Sequence, residues 1–345
     1  MMKIAVIGAG SWGTALGIVL ADNGHEVQMY ARRQEQVDEM NRKKTNENYL
    51  PGVELPENMK ASISIKDVLE EVNTVLLVTP SKALRNVLEE MTPYLSEHTT
   101  LIHASKGIEP ETYKRISEVI EEVVPEEKRR AVVVLSGPSH AEEVSLRKPT
   151  TVTVSSTDEK AAEYVQDLFI NQHFRVYTNT DIIGVELGGA LKNIIALGAG
   201  LSDGLGYGDN AKAALITRGL AEIVRLGTKM GANPLTFTGL AGLGDLVVTC
   251  TSVHSRNWRA GNLIGKGNKL EDVLENMGMV VEGVRTTKAA FHLAVREEVE
   301  MPITAQLYAV LFNDKDPKQA VDDLMQRGRT NEISYLTALL DDSSF

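Results

Sequence analysis

The sequence predicts an α/β fold in two parts: a mostly parallel sheet covered by helices, then an all-α domain. Three observations carry this prediction. Short β-rich runs alternate with amphipathic helical segments through the first half of the 345 residues. A glycine pattern, Gly8-Ala9-Gly10-Ser11-Trp12-Gly13, joins the first strand to the first helix. Beyond about residue 180 the strand signal stops and only helical periodicity continues.

Strands are expected at 3–8, 25–31, 60–64, 74–79, 100–105, 131–137, 150–156 and 173–179, where β-branched residues cluster between turn residues. Helical patterns lie between them, at 12–23, 81–91 and 111–123 and again between the last two strands. Such alternation implies parallel pairing with both faces of the sheet covered. The remainder reads as helices at 182–200, 209–230, 257–265, 270–276, 286–297, 304–312 and 317–326. The shift divides the chain into residues 1–180, residues 181–330 and an acidic end, 331–345, expected to be a flexible tail.

Composition narrows the function classes. Hydrophobic residues make up 43% and charged residues 24%, as in ordinary globular proteins. A net charge of −11 argues against a general nucleic-acid or anionic-membrane surface. An anionic ligand then needs a local cluster of cations. Cys250 is the only cysteine, so an intramolecular disulfide is impossible. No uninterrupted apolar run has the length of a membrane span, and the N-terminus lacks the apolar core of a signal peptide. The expectation is a cytoplasmic protein.

The glycine pattern follows a strand and opens a helix, the context that gives it meaning. Gly8 makes the tight turn, Gly10 lets the backbone approach a pyrophosphate, and Gly13 lets the helix sit close to the strand. The helix N-terminus adds free N–H groups and a positive dipole. Residues 1–180 therefore read as a Rossmann-type dinucleotide-binding domain. Its second strand ends in Tyr30-Ala31-Arg32-Arg33, where an NAD enzyme would carry an acid for the ribose 2′-hydroxyl. Paired guanidiniums suit a 2′-phosphate instead. NADP(H) is expected to be preferred, with NAD(H) possible.

Ser105-Lys106-Gly107 and Ser136-Gly137-Pro138-Ser139 each follow a strand, with Ala141 opening a helix after the second. Ligands collect at such strand ends, although Gly, Pro and Ser also make plain turns. Asp245 sits among apolar and small residues in GLAGLGDLVVTC (239–250), so it needs a cationic or donor partner. Ser255 suits the N-cap of a helix starting at Arg256 and Asn257, which reads either as a phosphate seat or as ordinary capping. Glu282, in Met279-Val280-Val281-Glu282-Gly283, reads on sequence alone as a surface glutamate. Residues 186–200, ELGGALKNIIALGAG, place Lys192 in a glycine-rich helix. Each glycine there costs about 1 kcal/mol relative to alanine. Two readings explain them: close helix packing, or close approach of a ligand.

The stretches GALKN (189–193) with its continuation to Asn210, GLAGLGDLVVTC, HSRN (254–257) and GAGSWGTA (8–15) resemble the NAD(P)-dependent glycerol-3-phosphate dehydrogenases of the soluble bacterial type. The resemblance spans the chain to about residue 330. It implies interconversion of sn-glycerol 3-phosphate and dihydroxyacetone phosphate in a cleft between the two domains, supplying glycerol 3-phosphate for glycerophospholipid synthesis. It also implies roles. Lys192 becomes the catalytic acid/base, with Lys106 and Asp245 as its neighbours. Gly137, Ser139, Asn193, Ser255, Arg256 and Asn257 join these three on the substrate. Gly8, Gly10, Ser11, Trp12, Gly13, Arg32, Arg33, Lys106, Ala141, Arg256, Val280 and Glu282 fall on the cofactor. Hydride transfer needs no metal, and the sequence shows no clustered His/Cys ligand set. Hydroxyacid and 6-phosphogluconate-type dehydrogenases share this build, but the GALKN and HSRN contexts favour the glycerol-phosphate reading. A homodimer is the default assembly.

Overall fold

The computed structural model describes residues 2–277, 280–329 and 331–332. Strands β1 (Lys3–Ile7), β2 (Glu26–Tyr30), β3 (Met59–Ser62), β4 (Thr74–Leu77), β5 (Thr99–His103), β6 (Arg129–Ser136), β7 (Thr150–Ser155) and β8 (Phe174–Asn179) form one sheet. Their spatial order is β3-β2-β1-β4-β5-β6-β7-β8. All neighbours are parallel except β6 and β7, so the sheet is mostly parallel as expected. The middle strands are nearly continuous apolar runs, such as KIAVI in β1 and TVLL in β4, because helices cover both faces.

Helices α1 (Ser11–Asp22), α2 (Gln34–Arg42), α3 (Ile65–Leu69), α4 (Ser81–Met91), α5 (Ile116–Val123), α6 (Ala141–Ser145) and α7 (Glu159–Phe169) supply that cover. Two of them left little trace in the sequence. α2 reads QEQVDEMNR and buries only Gln36, Val37 and Met40, too thin a stripe to show a period. α3 has five residues. The helix expected from residue 111 starts at Ile116, because Tyr113 has φ 58 and the segment before it forms a turn.

After β8 the chain is helical: α8 (Ile182–Gly204), α9 (Asp209–Lys229), α10 (Asp245–Thr251), α11 (Arg256–Gly265), α12 (Leu270–Met277), α13 (Glu282–Arg296), α14 (Pro302–Phe312) and α15 (Pro317–Met325). α13 begins four residues earlier than its periodicity suggested, at Glu282. Met279 and the tail from residue 333 lie outside the described residues.

α8 is the axis of this half, and almost every residue in it is buried. Its 23 residues are long and apolar enough to cross a membrane by length and composition alone, but 94% of the 18-residue apolar stretch within it is buried inside the protein. Lys192, Asn193 and Asp203 break the run without making the helix polar overall. Here it is a core helix, wrapped by its neighbours.

Its glycines divide between the two readings. A methyl at Gly200 would stand 1.9 Å from the Trp258 carbonyl oxygen, and one at Gly204 2.4 Å from that of Asn262. Reciprocally, a methyl at Gly261 would meet the Leu197 carbonyl oxygen at 1.9 Å. α8 and α11 therefore meet backbone to backbone, and close packing accounts for these positions. Gly188 is similar, held against the Ala241 carbonyl. Only Gly189 faces the strand ends of the first domain, where a methyl would stand 2.7 Å from Ser136 Oγ and 4.0 Å from the Lys106 side chain.

Candidate active site

The predicted cofactor residues of the first domain lie along the carboxyl edge of the sheet, whereas Arg256, Val280 and Glu282 belong to the helical half. Gly8 follows β1 with φ +122, and a side chain there would strike the Val78 carbonyl oxygen at 2.5 Å. A methyl at Gly13 would stand 1.9 Å from the Gly8 carbonyl oxygen, so α1 sits directly on the turn. In front of Gly10 the space is open. Ser11 Oγ donates to the Tyr49 carbonyl at 2.8 Å. Trp12 Nε1 is buried with no partner among the described residues. Arg32 and Arg33 are exposed just past β2, and the Arg33 guanidinium stands 5.9 Å from the Tyr49 ring centre.

Lys106 follows β5, three strands away from β2 and thus roughly 14 Å along the edge. The cations are therefore spread out rather than gathered at one point. Gly137 and Ser139 follow β6. Gly137 has φ +146, Ser139 Oγ donates to its carbonyl at 2.9 Å, and Ala141 opens α6.

The second domain brings its groups over Lys106. Asp245 is the first residue of α10 and is 1% exposed; Lys192, in the middle of α8, is 5% exposed. Lys106 Nζ donates to Asp245 Oδ2 at 2.8 Å and to the Gly137 carbonyl at 3.3 Å. Lys192 Nζ donates to Asp245 Oδ1 and, at 2.8 Å, to Thr249 Oγ1. A single turn of π-helix, Leu240–Gly244, delivers Asp245 to this place. The partner that Asp245 required is thus a pair of ammonium groups from two domains.

Burial lowers the Lys192 pKa most. The Lys106 ammonium lowers it further and Asp245 works against both, leaving it at about 7. Burial pushes Asp245 the other way, but the two lysines outweigh it and hold its carboxyl below the ordinary value. The α8 axis is tied to the first domain through buried Glu186. Its carboxylate accepts from Arg115 Nη1 at 2.6 Å and from the Ser117 backbone N–H and Oγ, both at 2.7 Å.

Around this centre, Asn257 Nδ2 donates to Asn193 Oδ1 at 2.8 Å, and the Gly283 N–H donates to Asn257 Oδ1 at 2.8 Å. Ser255 Oγ caps α11 by accepting from the Trp258 N–H at 3.2 Å. Arg256 is exposed at the start of α11, where its Nη1 reaches the Val280 carbonyl at 3.3 Å. Glu282 corrects the surface reading. It is half-buried at the start of α13, accepts from Ser81 Oγ at 3.4 Å and faces Gly107. Burial raises its pKa, opposed by Arg285 and Arg256.

Sequence reasoning missed three residues here. Thr249 lies one turn after Asp245 on the same helix, so the i, i+4 spacing was readable. His140 sat unremarked behind Ser139. Tyr49 lies between assigned elements and carried no signal.

The arrangement places a buried ammonium pair with one counter-carboxylate at the meeting of two domains, beside a glycine loop and an open helix N-terminus. Such a centre can stabilise negative charge developing on a carbonyl oxygen and exchange a proton with it.

Comparison with known proteins agrees in kind. The family described as NAD-dependent glycerol-3-phosphate dehydrogenase matches with its N-terminal part over residues 3–162 and its C-terminal part over residues 181–322. A protein of Bacillus cereus (strain G9842), named glycerol-3-phosphate dehydrogenase with NAD(P)+ as cofactor, is 66% identical over 340 residues, covering 99% of this chain and 100% of its own. One of Bacillus thuringiensis (strain Al Hakam), with the same name, is also 66% identical over the same coverage. The crystal structure of glycerol-3-phosphate dehydrogenase from Coxiella burnetii superposes with a TM-score of 0.90 at 42% identity, covering 94% of this chain and 98% of that one.

Proposed function

The chain belongs to the NAD-dependent glycerol-3-phosphate dehydrogenase family, and on that premise we propose that Lys192 is the acid/base of its reaction, with Lys106 and Asp245 setting its charge. The chain is an oxidoreductase that interconverts sn-glycerol 3-phosphate and dihydroxyacetone phosphate with NAD(P)(H). The observation that carries the reading of the site is the buried Lys106–Asp245–Lys192 cluster.

The edge of the sheet fits a dinucleotide. Gly10 leaves its front open for a pyrophosphate, and Trp12 Nε1, two residues further on, is a buried donor with no partner among the described residues. When bound, the dinucleotide supplies or accepts the hydride. In the reducing direction the Lys192 ammonium donates a hydrogen bond to the carbonyl oxygen and transfers its proton as negative charge develops there. In the oxidising direction neutral Lys192 takes the hydroxyl proton. A pKa near 7 serves both directions, since efficiency peaks near the working pH. Asp245 fixes the direction of Nζ, and Lys106 offsets the Asp245 charge, so the cluster is net positive when Lys192 is protonated and neutral when it is not. Arg256 and the N-terminus of α11 take the phosphate, and Asn193 and Asn257 brace each other behind it.

Arg32 and Arg33 favour NADP(H) over NAD(H) through the 2′-phosphate. We place the reaction in the cytoplasm, in the supply of glycerol 3-phosphate for glycerophospholipids, and expect a homodimer. Loss of nicotinamide absorbance on adding dihydroxyacetone phosphate to enzyme and NADPH, compared with NADH, tests the reaction and the preference together. No oxidation of either cofactor sinks the reading.

A further inference from the structure

Resting on that reading, we propose that His140 recognises the free hydroxyl of the three-carbon substrate and so sets specificity for a hydroxymethyl ketone phosphate. His140 lies between Ser139 and Ala141, at the carboxyl end of β6. Its backbone is pinned at the start of α6, where its carbonyl accepts from the Glu143 and Val144 N–H groups, both at 3.0 Å. Its side chain lies close enough to Lys192 and Asp245 for their charges to act on it. The Nε2 atom is buried and has no hydrogen-bond partner among the described residues. Across from it stands His254 of the second domain, with ring centres 6.0 Å apart. His254 immediately precedes Ser255 and Arg256. The imidazole thus lies where the strand-end turn of one domain meets the start of α11 in the other.

The substrate offers three polar features to this cleft. The phosphate goes to Arg256 and the N-terminus of α11. The carbonyl goes to Lys192. The hydroxyl at the far carbon is left; of the other substrate-side groups, Ser139 Oγ is engaged by the Gly137 carbonyl and Asn193 Oδ1 by Asn257. Burial lowers the His140 pKa most and Lys192 lowers it further, against Glu142, Asp245 and Glu143, so the net direction favours the neutral ring. A neutral imidazole has one donor and one acceptor nitrogen, and a hydroxyl matches either. A neutral ring is a poor choice for a phosphate but a good one for an alcohol. An unpaired polar atom in a pocket also penalises any analogue that leaves it unpaired.

The test crosses substrate with side chain. Hydroxyacetone phosphate carries a methyl group where dihydroxyacetone phosphate carries its hydroxymethyl. Wild-type enzyme should prefer dihydroxyacetone phosphate in kcat/KM by roughly 10- to 100-fold. His140→Phe should lose most of its rate with dihydroxyacetone phosphate and little with the analogue, bringing the ratio close to one. His140→Ala should do the same, which keeps the test usable if the phenyl ring disturbs folding. A preference that persists in both variants, with both substrates slowed alike, overturns the role of His140 while the family's reaction stands. Absence of discrimination in the wild type also overturns it. A wild type that turns over neither substrate removes both the role and the reaction it rests on.

Discussion

Lys192 and Arg256 belong to one cleft and carry the same formal charge, yet their surroundings are opposite. Lys192 is 5% exposed and held by Asp245 and Thr249, whereas Arg256 is exposed with one backbone contact. Burial makes the lysine adjustable, since its pKa falls to about 7 and its charge follows the chemistry. The arginine keeps its proton throughout, which suits it to the constant anion handle proposed for it. The pair teaches a division of labour. On the proposed reading, proton exchange belongs to the dry interior between the domains and recognition of phosphate to the wet rim.

Four measurements break or sharpen that contrast. Lys192→Ala should lower kcat on the order of 10²- to 10⁴-fold while NADPH still binds in a fluorescence titration. Near-normal turnover would remove the interior half of the comparison. Arg256→Ala should cost roughly 10- to 100-fold in kcat/KM for dihydroxyacetone phosphate, chiefly through KM. Unphosphorylated dihydroxyacetone should be nearly unaffected, and an equal loss with both ketones would erase the rim's role.

The third is a pH profile. Reduction needs the ammonium form, so its kcat should fall as pH rises through about 7, while oxidation rises through the same point. Lys106→Met removes a positive neighbour that disfavours the ammonium, so the midpoint should move upward by roughly one unit. Arg256→Ala should leave the midpoint in place; movement there would mean that rim and interior are electrostatically one. The smallest effects belong to Arg32→Ala and Arg33→Ala. Both side chains are exposed, so each should shift the NADPH-to-NADH ratio of kcat/KM only about two- to fivefold. Added salt should blunt that difference in the wild type. An unchanged ratio at low salt sinks the 2′-phosphate assignment.

The sheet was legible from short β-rich runs set between turn residues, and the amphipathic helices from their period, whereas α8, buried nearly all round, was legible from its length and apolar content. The need of Asp245 for a cation was legible from its apolar neighbours. Which cations answer it was not, because Lys192 is 53 residues away and Lys106 is 139 residues away along the chain. Glu282 misled for the same reason, since the atoms that cover it come from Ser81 and the turn after β5. Thr249 was within reach of a simple i, i+4 count from Asp245. The glycines of α8 could not be divided between packing and ligand approach without knowing that α11 lies against them.

That last contact bears on how the protein is made. Gly200 and Gly204 of α8 have no backbone complement until residues 256–265 exist, and residues 205–255 are synthesised in between. A growing chain halted there exposes a 23-residue apolar helix that meets the length and hydropathy criteria of a bilayer span. The expected consequence is a dependence on timing: chains that stop short of α11 should associate with membranes more than chains that include it. Membrane fractionation of chains truncated just before and just after α11 reads that dependence directly.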